Sequence, residues 1–123
     1  MKKITEIKWL TSPDKHDYPA AASYLNLIFQ NKEVKQLVAK LKKAPVTEFK
    51  AKDIFRASRL SLLGISNYHV EKDRNKIKKG IKLSPILLVR DVQNKSVIIA
   101  DGYHRMCAIY SFNEDISIKC KIV

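Results

Sequence analysis

The sequence predicts a small α+β domain in which a helical hairpin precedes a mixed β-sheet with packed helices. The first third of the chain spaces its apolar residues as helices do. The last third holds apolar runs of strand length, one of which is followed at once by a helical pattern. With 123 residues and a hydrophobic fraction of 46%, the chain is long enough for one core, so we expect a single domain over residues 1–123.

Two helices are predicted before the sheet. Residues 17–29 contain a run of alanines and a proline in the first turn, both of which favour helix. Residues 31–43 place apolar side chains at i, i+3, i+4 and i+7, with Asn31 as the expected N-cap and Pro45 at the end. This N-terminal α-helical extension, residues 1–45, would cover a cleft, pair two chains as a homodimer, or shield the sheet, and the sequence does not choose among these.

Residues 46–123 alternate between strand and helix patterns and are expected to form the core of the domain. Asn67 is a candidate N-cap, and Gly64 and Gly80 are expected to end helices. The segment 91–95 is a hairpin-like connection. The predicted order is strand 46–51, helix 52–63, helix 68–79, strand 84–90, strand 96–100, helix 102–112 and strand 116–122.

The charge balance is strongly positive. Lys and Arg number 24 against 12 Asp and Glu, a formal net charge of +12 that favours polyanionic partners such as nucleic acid or nucleotides. The lysines are spread through every segment, so a generic basic surface is the alternative. Cys107 and Cys120 form neither a disulfide framework nor a zinc pattern, and we expect both thiols to be buried. No apolar run approaches the ~20 residues of a membrane span, so we expect no membrane partner and a cytoplasmic location.

The turn Asp101–Arg105 carries the most chemistry, because it joins an apolar strand to the start of a helix. Backbone N–H groups in a first helical turn favour an anion, and the guanidinium of Arg105 matches the geometry of a phosphate. Gly102 removes a side chain where a phosphate would approach the backbone. His104 is a candidate acid, base or phosphate donor, and Asp101 is a candidate base or metal carboxylate.

Each of these residues also has a purely structural interpretation. Gly102 would be an ordinary turn glycine, and Asp101 would cap the helix. His104 would hydrogen-bond to the backbone. Arg105 would form a surface ion pair with Glu114 or Asp115.

The motif Asp101-Gly102-Tyr103-His104-Arg105, in its strand–turn–helix context, resembles that of the ParB/sulfiredoxin-like superfamily over about residues 46–123. Sulfiredoxins carry a Gly-Cys-His-Arg version of this turn, ParB proteins a Gly-Glu-Arg-Arg version and the free-serine kinases an Asp-Gly-His-His-Arg version, which is the nearest. The resemblance implies a nucleotide whose phosphates bind at Gly102, Tyr103, His104 and Arg105. Tyr103 stands where a sulfiredoxin has its catalytic cysteine, and a phenol cannot replace that sulfur nucleophile. The length leaves no room for the DNA-binding domain of ParB, so we expect neither a sulfiredoxin nor a full ParB.

The resemblance also implies that the segment after the first core strand lies across the nucleotide from the phosphate turn. Arg56 and Arg59 are three residues apart and are candidates for further phosphate contacts, with a solvated basic face as the alternative. Asp53 is a candidate base or metal carboxylate, unless it only caps its helix. Asn67 and His69 are expected near the same cleft. The predicted helix over 68–79 is basic and is either a footprint for phosphate groups or a solvated face.

Three functions follow as hypotheses. The first is an enzyme that binds a nucleotide of the ATP/ADP or CTP class and transfers or hydrolyses its phosphate, with Mg²⁺ bridging the phosphates and with Asp101, His104 and Asp53 as candidate catalytic residues. The second is a nucleic-acid-binding accessory module that uses the basic surface. The third is a non-catalytic interaction domain. The sequence assures no metal ligand.

Overall fold

The computed structural model of this chain describes residues 6–123 and shows an α+β fold with a four-stranded mixed sheet. The helices are α1 (Asp17–Leu25), α2 (Asn31–Lys43), α3 (Ala51–Ser58), α4 (Tyr68–Lys78) and α5 (Tyr103–Phe112). The strands are β1 (Thr47–Lys50), β2 (Ile86–Asp91), β3 (Ser96–Asp101) and β4 (Ser117–Ile122). The predicted order of elements is confirmed. Near the start of the chain, Ile4, Ile7 and Trp9 are spaced as in a short strand. Ile4 lies outside the described residues, and Trp9 forms an isolated parallel bridge with Leu83.

The strand order in the sheet is β1-β4-β2-β3. β4 pairs antiparallel with β1 and parallel with β2, and β2 and β3 form an antiparallel hairpin. β4 therefore lies inside the sheet although it follows every other strand along the chain.

Helices cover both faces of the sheet, because successive side chains of β2 point to opposite sides. Ile86 and Leu88 pack with α3, α4 and α5, whereas Leu87 and Val89 pack with α1 and α2. All four side chains are buried, which confirms the expectation that this strand is covered on both faces. The α-helical extension thus shields one face of the sheet, one of the three roles that the sequence left open.

Several element ends differ from the predictions. α1 stops at Leu25 instead of continuing to residue 29, and residues 26–28 form turns. α3 stops at Ser58, because Arg59 adopts the left-handed conformation with φ of 58°, which ends the helix before Gly64. The N-cap of α2 is Gln30 and not Asn31.

Candidate functional site

The turn between β3 and α5 is built around Gly102. Its φ of 111° is a conformation that glycine adopts readily and other residues rarely. A Cβ at this position would lie 2.7 Å from Cβ of Ile86 and 2.9 Å from Nη2 of Arg105, so the glycine also permits close packing against β2. The structural interpretation of Gly102 is therefore sufficient by itself.

A cavity of about 410 Å³ opens at the N-terminus of α5. The start of α1, the middle of α4, the segment before β2 and the β3–α5 turn form its walls. Its charged and titratable lining residues are Asp14, His16, Asp17, Asp73, Lys76, Lys82, Asp101, His104 and Arg105. The interpretation of Asp101 as the cap of α5 is wrong, because the N-cap residue is Gly102. Among the described residues no side chain caps α5, so the amide groups of its first turn lack a side-chain acceptor.

Arg105 lies between two carboxylates in this cavity. Its Nη2 donates to Oδ2 of Asp101 at 2.8 Å, and its Nη1 lies 3.7 Å from Oδ2 of Asp17. The Ser84 hydroxyl donates to Asp17 and accepts from the Asp14 amide at 2.9 Å. The side chains of Arg105, Asp17 and Asp101 are largely buried, with exposed fractions of 14 to 20%.

The alternative interpretation of Arg105, a surface ion pair with Glu114 or Asp115, is wrong. Asp115 instead pairs with Lys52 at 2.7 Å, and Glu114 accepts a hydrogen bond from Tyr110. Arg105 is one turn from Asp101, so the two side chains reach the same side of the β3–α5 junction.

Sequence reasoning missed Asp17 entirely. An acidic residue in the first turn of a helix is common, because it stabilises the helix dipole, so nothing local distinguished Asp17 from an ordinary helix start. Its contacts with Ser84 and Arg105 join distant parts of the chain, and only the packing of α1 on the sheet creates them.

The pKa of Asp101 is raised to about 6. Burial is the largest cause, because it penalises the charged carboxylate, and the neighbouring Asp17 raises the pKa further. The Arg105 guanidinium opposes both effects but does not cancel them. Near neutral pH, Asp101 is therefore mostly ionised but readily accepts a proton.

His104 stacks on His69, with ring centroids 4.8 Å apart at a tilted angle. Burial lowers the pKa of His104, and His69 lowers it further, whereas Asp73 acts in the opposite direction. This lowered pKa favours the neutral form of the His104 imidazole, in which one ring nitrogen is an acceptor. The expectation that His69 lies beside the turn is confirmed. Asn67 caps α4 by accepting hydrogen bonds from the amides of His69 and Val70.

Tyr103 connects the turn to the segment between α3 and α4. Its hydroxyl donates to the carbonyl of Ser61, and burial raises the pKa of its phenol. Cys107, one turn later, and Cys120 on β4 are both buried as expected, and burial raises the pKa of each thiol. Both thiols are therefore protonated near neutral pH and are poor nucleophiles.

The structure does not bring Asp53, Arg56 and Arg59 to this cavity. Asp53 lines a separate cavity of about 250 Å³. Nη2 of Arg59 reaches the carbonyl of Lys95, in the turn that precedes β3, whereas Asp101 ends that strand. Arg56 is exposed on α3. The two arginines do not share a helical face, because Arg59 lies beyond the last helical residue.

The basic helix α4 does not present a single solvated face. Lys76 lines the cavity, whereas Arg74 lies 4.2 Å from the ring centroid of Phe112 and donates to the Ser111 hydroxyl. The Nε of Arg74 lies 3.8 Å from Glu71. Part of the positive charge of α4 is therefore used in packing on α5.

The comparisons with known proteins identify no relative. No protein-family model, no curated protein and no solved structure matches this chain. Within residues 6–123, none of the helices combines the length and the apolar character that crossing a membrane requires. The same residues contain no cluster of three or more His, Cys, Asp or Glu side chains that would hold a metal.

Proposed function

We propose that this chain binds the phosphate groups of a nucleotide in the cavity at the N-terminus of α5 and transfers or hydrolyses the terminal phosphate. The observation that carries the proposal is the convergence in one cavity of the uncapped first turn of α5 with Lys76, Lys82 and Arg105. Helix N-termini and arginine side chains together form an effective phosphate site. The resemblance of Asp101–Arg105 to the turn of nucleotide-binding ParB/sulfiredoxin-like proteins supports the same ligand, and we propose the cytoplasm as the location.

The charge of the cavity constrains how a phosphate binds. Both terminal nitrogens of Arg105 face carboxylates, so a phosphate competes with Asp17 and Asp101 for the guanidinium. A divalent cation on these carboxylates would remove that competition. We therefore propose that the nucleotide enters together with Mg²⁺.

The donor set of the cavity fits Mg²⁺. Carboxylate oxygens are its preferred protein ligands, and in phosphate sites one or two carboxylates share the ion with the substrate. Asp17 and Asp101 would hold it. When bound, Mg²⁺ neutralises charge that develops on the phosphate oxygens.

His104 is the residue best suited to accept the proton of an attacking hydroxyl group. Burial and the neighbouring His69 lower its pKa, which favours the neutral imidazole. It lines the same cavity as Arg105 and Asp101. A neutral imidazole takes up a proton from water or from an alcohol as the attacking oxygen bonds to the terminal phosphorus, while the bond from that phosphorus to the bridging oxygen breaks and the nucleoside diphosphate leaves. Asp101 would not serve as a base while it holds Mg²⁺, so the role of base falls to His104.

The test is titration of the protein with ATP and CTP, each with and without Mg²⁺, by calorimetry and thermal shift. We expect either nucleotide with Mg²⁺ to raise the melting temperature, because a ligand that binds only the folded state stabilises it. Arg105→Lys keeps a positive charge between the two carboxylates but removes the planar fork of donors. We expect this variant to bind about tenfold more weakly or worse, as loss of charge-assisted hydrogen bonds implies.

The matched control is Arg56→Lys, the same substitution on the exposed face of α3. It should leave nucleotide affinity unchanged. The proposal is wrong if neither nucleotide nor inorganic triphosphate binds at millimolar concentration with Mg²⁺, or if both arginine variants behave alike.

Nucleic-acid binding is the second candidate function, and the net charge of +12 favours it. This charge is distributed over the whole chain and does not depend on the cavity. The two functions are therefore separable by substitutions within the cavity.

A further inference from the structure

A second cavity adjoins the first across the β3–α5 turn. It measures about 430 Å³ and shares Asp101, Gly102 and His104 with the cavity at the N-terminus of α5, which we name the polar cavity. The side chains that line only this second cavity are mainly apolar or aromatic: Ala20, Tyr24, Leu60, Ile99, Ala100 and Tyr103. We name it the apolar cavity. The same three turn residues thus separate a charged compartment from an apolar one.

α1 passes along both compartments. Asp17, Ala20 and Tyr24 are spaced i, i+3 and i+7, which places them on one helical face. Asp17 lines the polar cavity, and Ala20 and Tyr24 line the apolar one. The buried face of α1, with Ala21 and Leu25, packs on the sheet and fixes this alignment.

The apolar cavity retains exposed apolar surface. Tyr24 is 42% exposed and Leu60 is 38% exposed. The opposite wall is fixed, because Tyr103 donates its hydroxyl hydrogen bond to Ser61 in the segment that also carries Leu60. Large, partly exposed apolar side chains beside a few polar groups are typical of a small-molecule site.

We infer that the apolar cavity holds the base of the nucleotide, with Tyr24 as the main contact for the ring, while the phosphates occupy the polar cavity. This inference rests on the proposed function and adds the part of the site that recognises the organic half of the ligand. A flat, largely apolar base matches a cavity with aromatic and aliphatic walls, and stacking on an aromatic ring supplies affinity for any base. The role falls to α1, so the α-helical extension contributes to ligand binding as well as shielding the sheet.

The experiment compares ATP with inorganic triphosphate, both with Mg²⁺, by calorimetry on the full chain. Inorganic triphosphate carries the phosphates but no base. We expect wild-type protein to bind ATP about tenfold or more tightly than triphosphate, because base stacking on an aromatic side chain has an effect of this order. Tyr24→Ala should lose this preference and leave the affinity for triphosphate unchanged. Tyr24→Phe should retain it, since the ring and not the hydroxyl makes the contact.

Two further variants keep the result interpretable. Tyr68→Ala removes an exposed tyrosine that lines neither cavity, and it should change neither affinity. Leu60→Ala acts on another wall of the apolar cavity and should reduce the preference for ATP in the same way as Tyr24→Ala.

The outcomes separate this inference from the proposed function. If triphosphate binds as tightly as ATP, or if Tyr24→Ala weakens both ligands equally, the base does not occupy the apolar cavity, although the phosphate site stands. If ATP, CTP and triphosphate all fail to bind to the wild-type protein, the proposed function fails, and this inference fails with it.

Discussion

Asp101 shows how a single residue of the site opposes the stability of the fold. Its pKa is about 6 in the folded protein against an ordinary value of 3.8, so the folded state binds the proton more tightly than the unfolded state. Stability therefore falls as the pH rises from about 4 to about 6, and it stays lower above that range. The ionised carboxylate costs the fold up to about 3 kcal/mol, at 1.36 kcal/mol per pKa unit.

The prediction at this scale concerns Asp101→Asn, which mimics the protonated acid. We expect the variant to unfold at higher urea concentration than wild type at pH 7 to 8, with a gain of about 1–3 kcal/mol that disappears near pH 4. Urea denaturation across this pH range measures the difference. Asp115→Asn is the control. Lys52 lowers the pKa of Asp115, so removal of the Asp115 charge should give no gain in the free energy of unfolding. A loss of stability for Asp101→Asn at pH 8 would show that its ion pair with Arg105 outweighs burial.

The same residue scale explains what the sequence revealed about the site and what it did not. Asp101, His104 and Arg105 share a short motif at a strand–helix junction, and the structure places all three in one cavity. The sequence does not predict Asp17 as a site residue, because its contact with Arg105 exists only once α1 packs on the sheet. Arg59 was expected to lie beside Arg56 on one helical face, because the sequence predicts a helix over residues 52–63. The left-handed backbone of Arg59 ends α3 at Ser58, so the two arginines do not share a face.

At the scale of elements, the helix starts show that the same residue type can have different roles. Asn31 and Asn67 were both expected to cap a helix. Asn67 does so through two backbone amides, whereas Asn31 lies inside α2, which starts after Gln30. The difference is one residue in register, which hydrophobic periodicity does not resolve.

The corresponding prediction compares Asn67→Ala with Asn31→Ala. Removal of the Asn67 side chain leaves two amides of α4 without their acceptor and should lower the free energy of unfolding by about 1 kcal/mol. Asn31→Ala should be close to neutral, because Asn31 is the first residue of α2 and lies after its N-cap, Gln30. Chemical denaturation of both variants decides this. Equal losses would mean that Asn31 caps α2 after all.

The order of elements was predictable from the sequence, because most elements show a regular spacing of apolar residues, over 8 to 13 residues in the helices. The sheet order was not, since strands β1, β4 and β2 come together through contacts between distant residues. The continuous apolar run of β2 predicts that this strand is buried on both faces, and the structure confirms this prediction.

At the scale of the whole molecule, the net charge of +12 predicts a binding behaviour that is independent of the cavity. We expect weak association with duplex DNA at low salt and its loss by about 0.2 M salt, because released counterions drive such binding. Fluorescence anisotropy against salt concentration measures the slope. Arg105→Lys should leave this slope unchanged, since Arg105 is largely buried. DNA binding that persists at high salt and depends on Arg105 would instead support the nucleic-acid function.

The position of β4 also has a kinetic consequence. β4 follows the other strands in the chain yet separates β1 from β2, so β1 and the β2–β3 hairpin have no pairing with each other until β4 inserts. Pairing between β1 and β4 closes a loop of nearly seventy residues between the paired residues Lys50 and Ser117. Such non-local pairing slows folding relative to a helical bundle of equal size. Asp101 and Gly102 lie at the end of the β2–β3 hairpin, whose strands are close in sequence. This part of the turn can therefore form with the hairpin, before β4 pairs with β1 and β2.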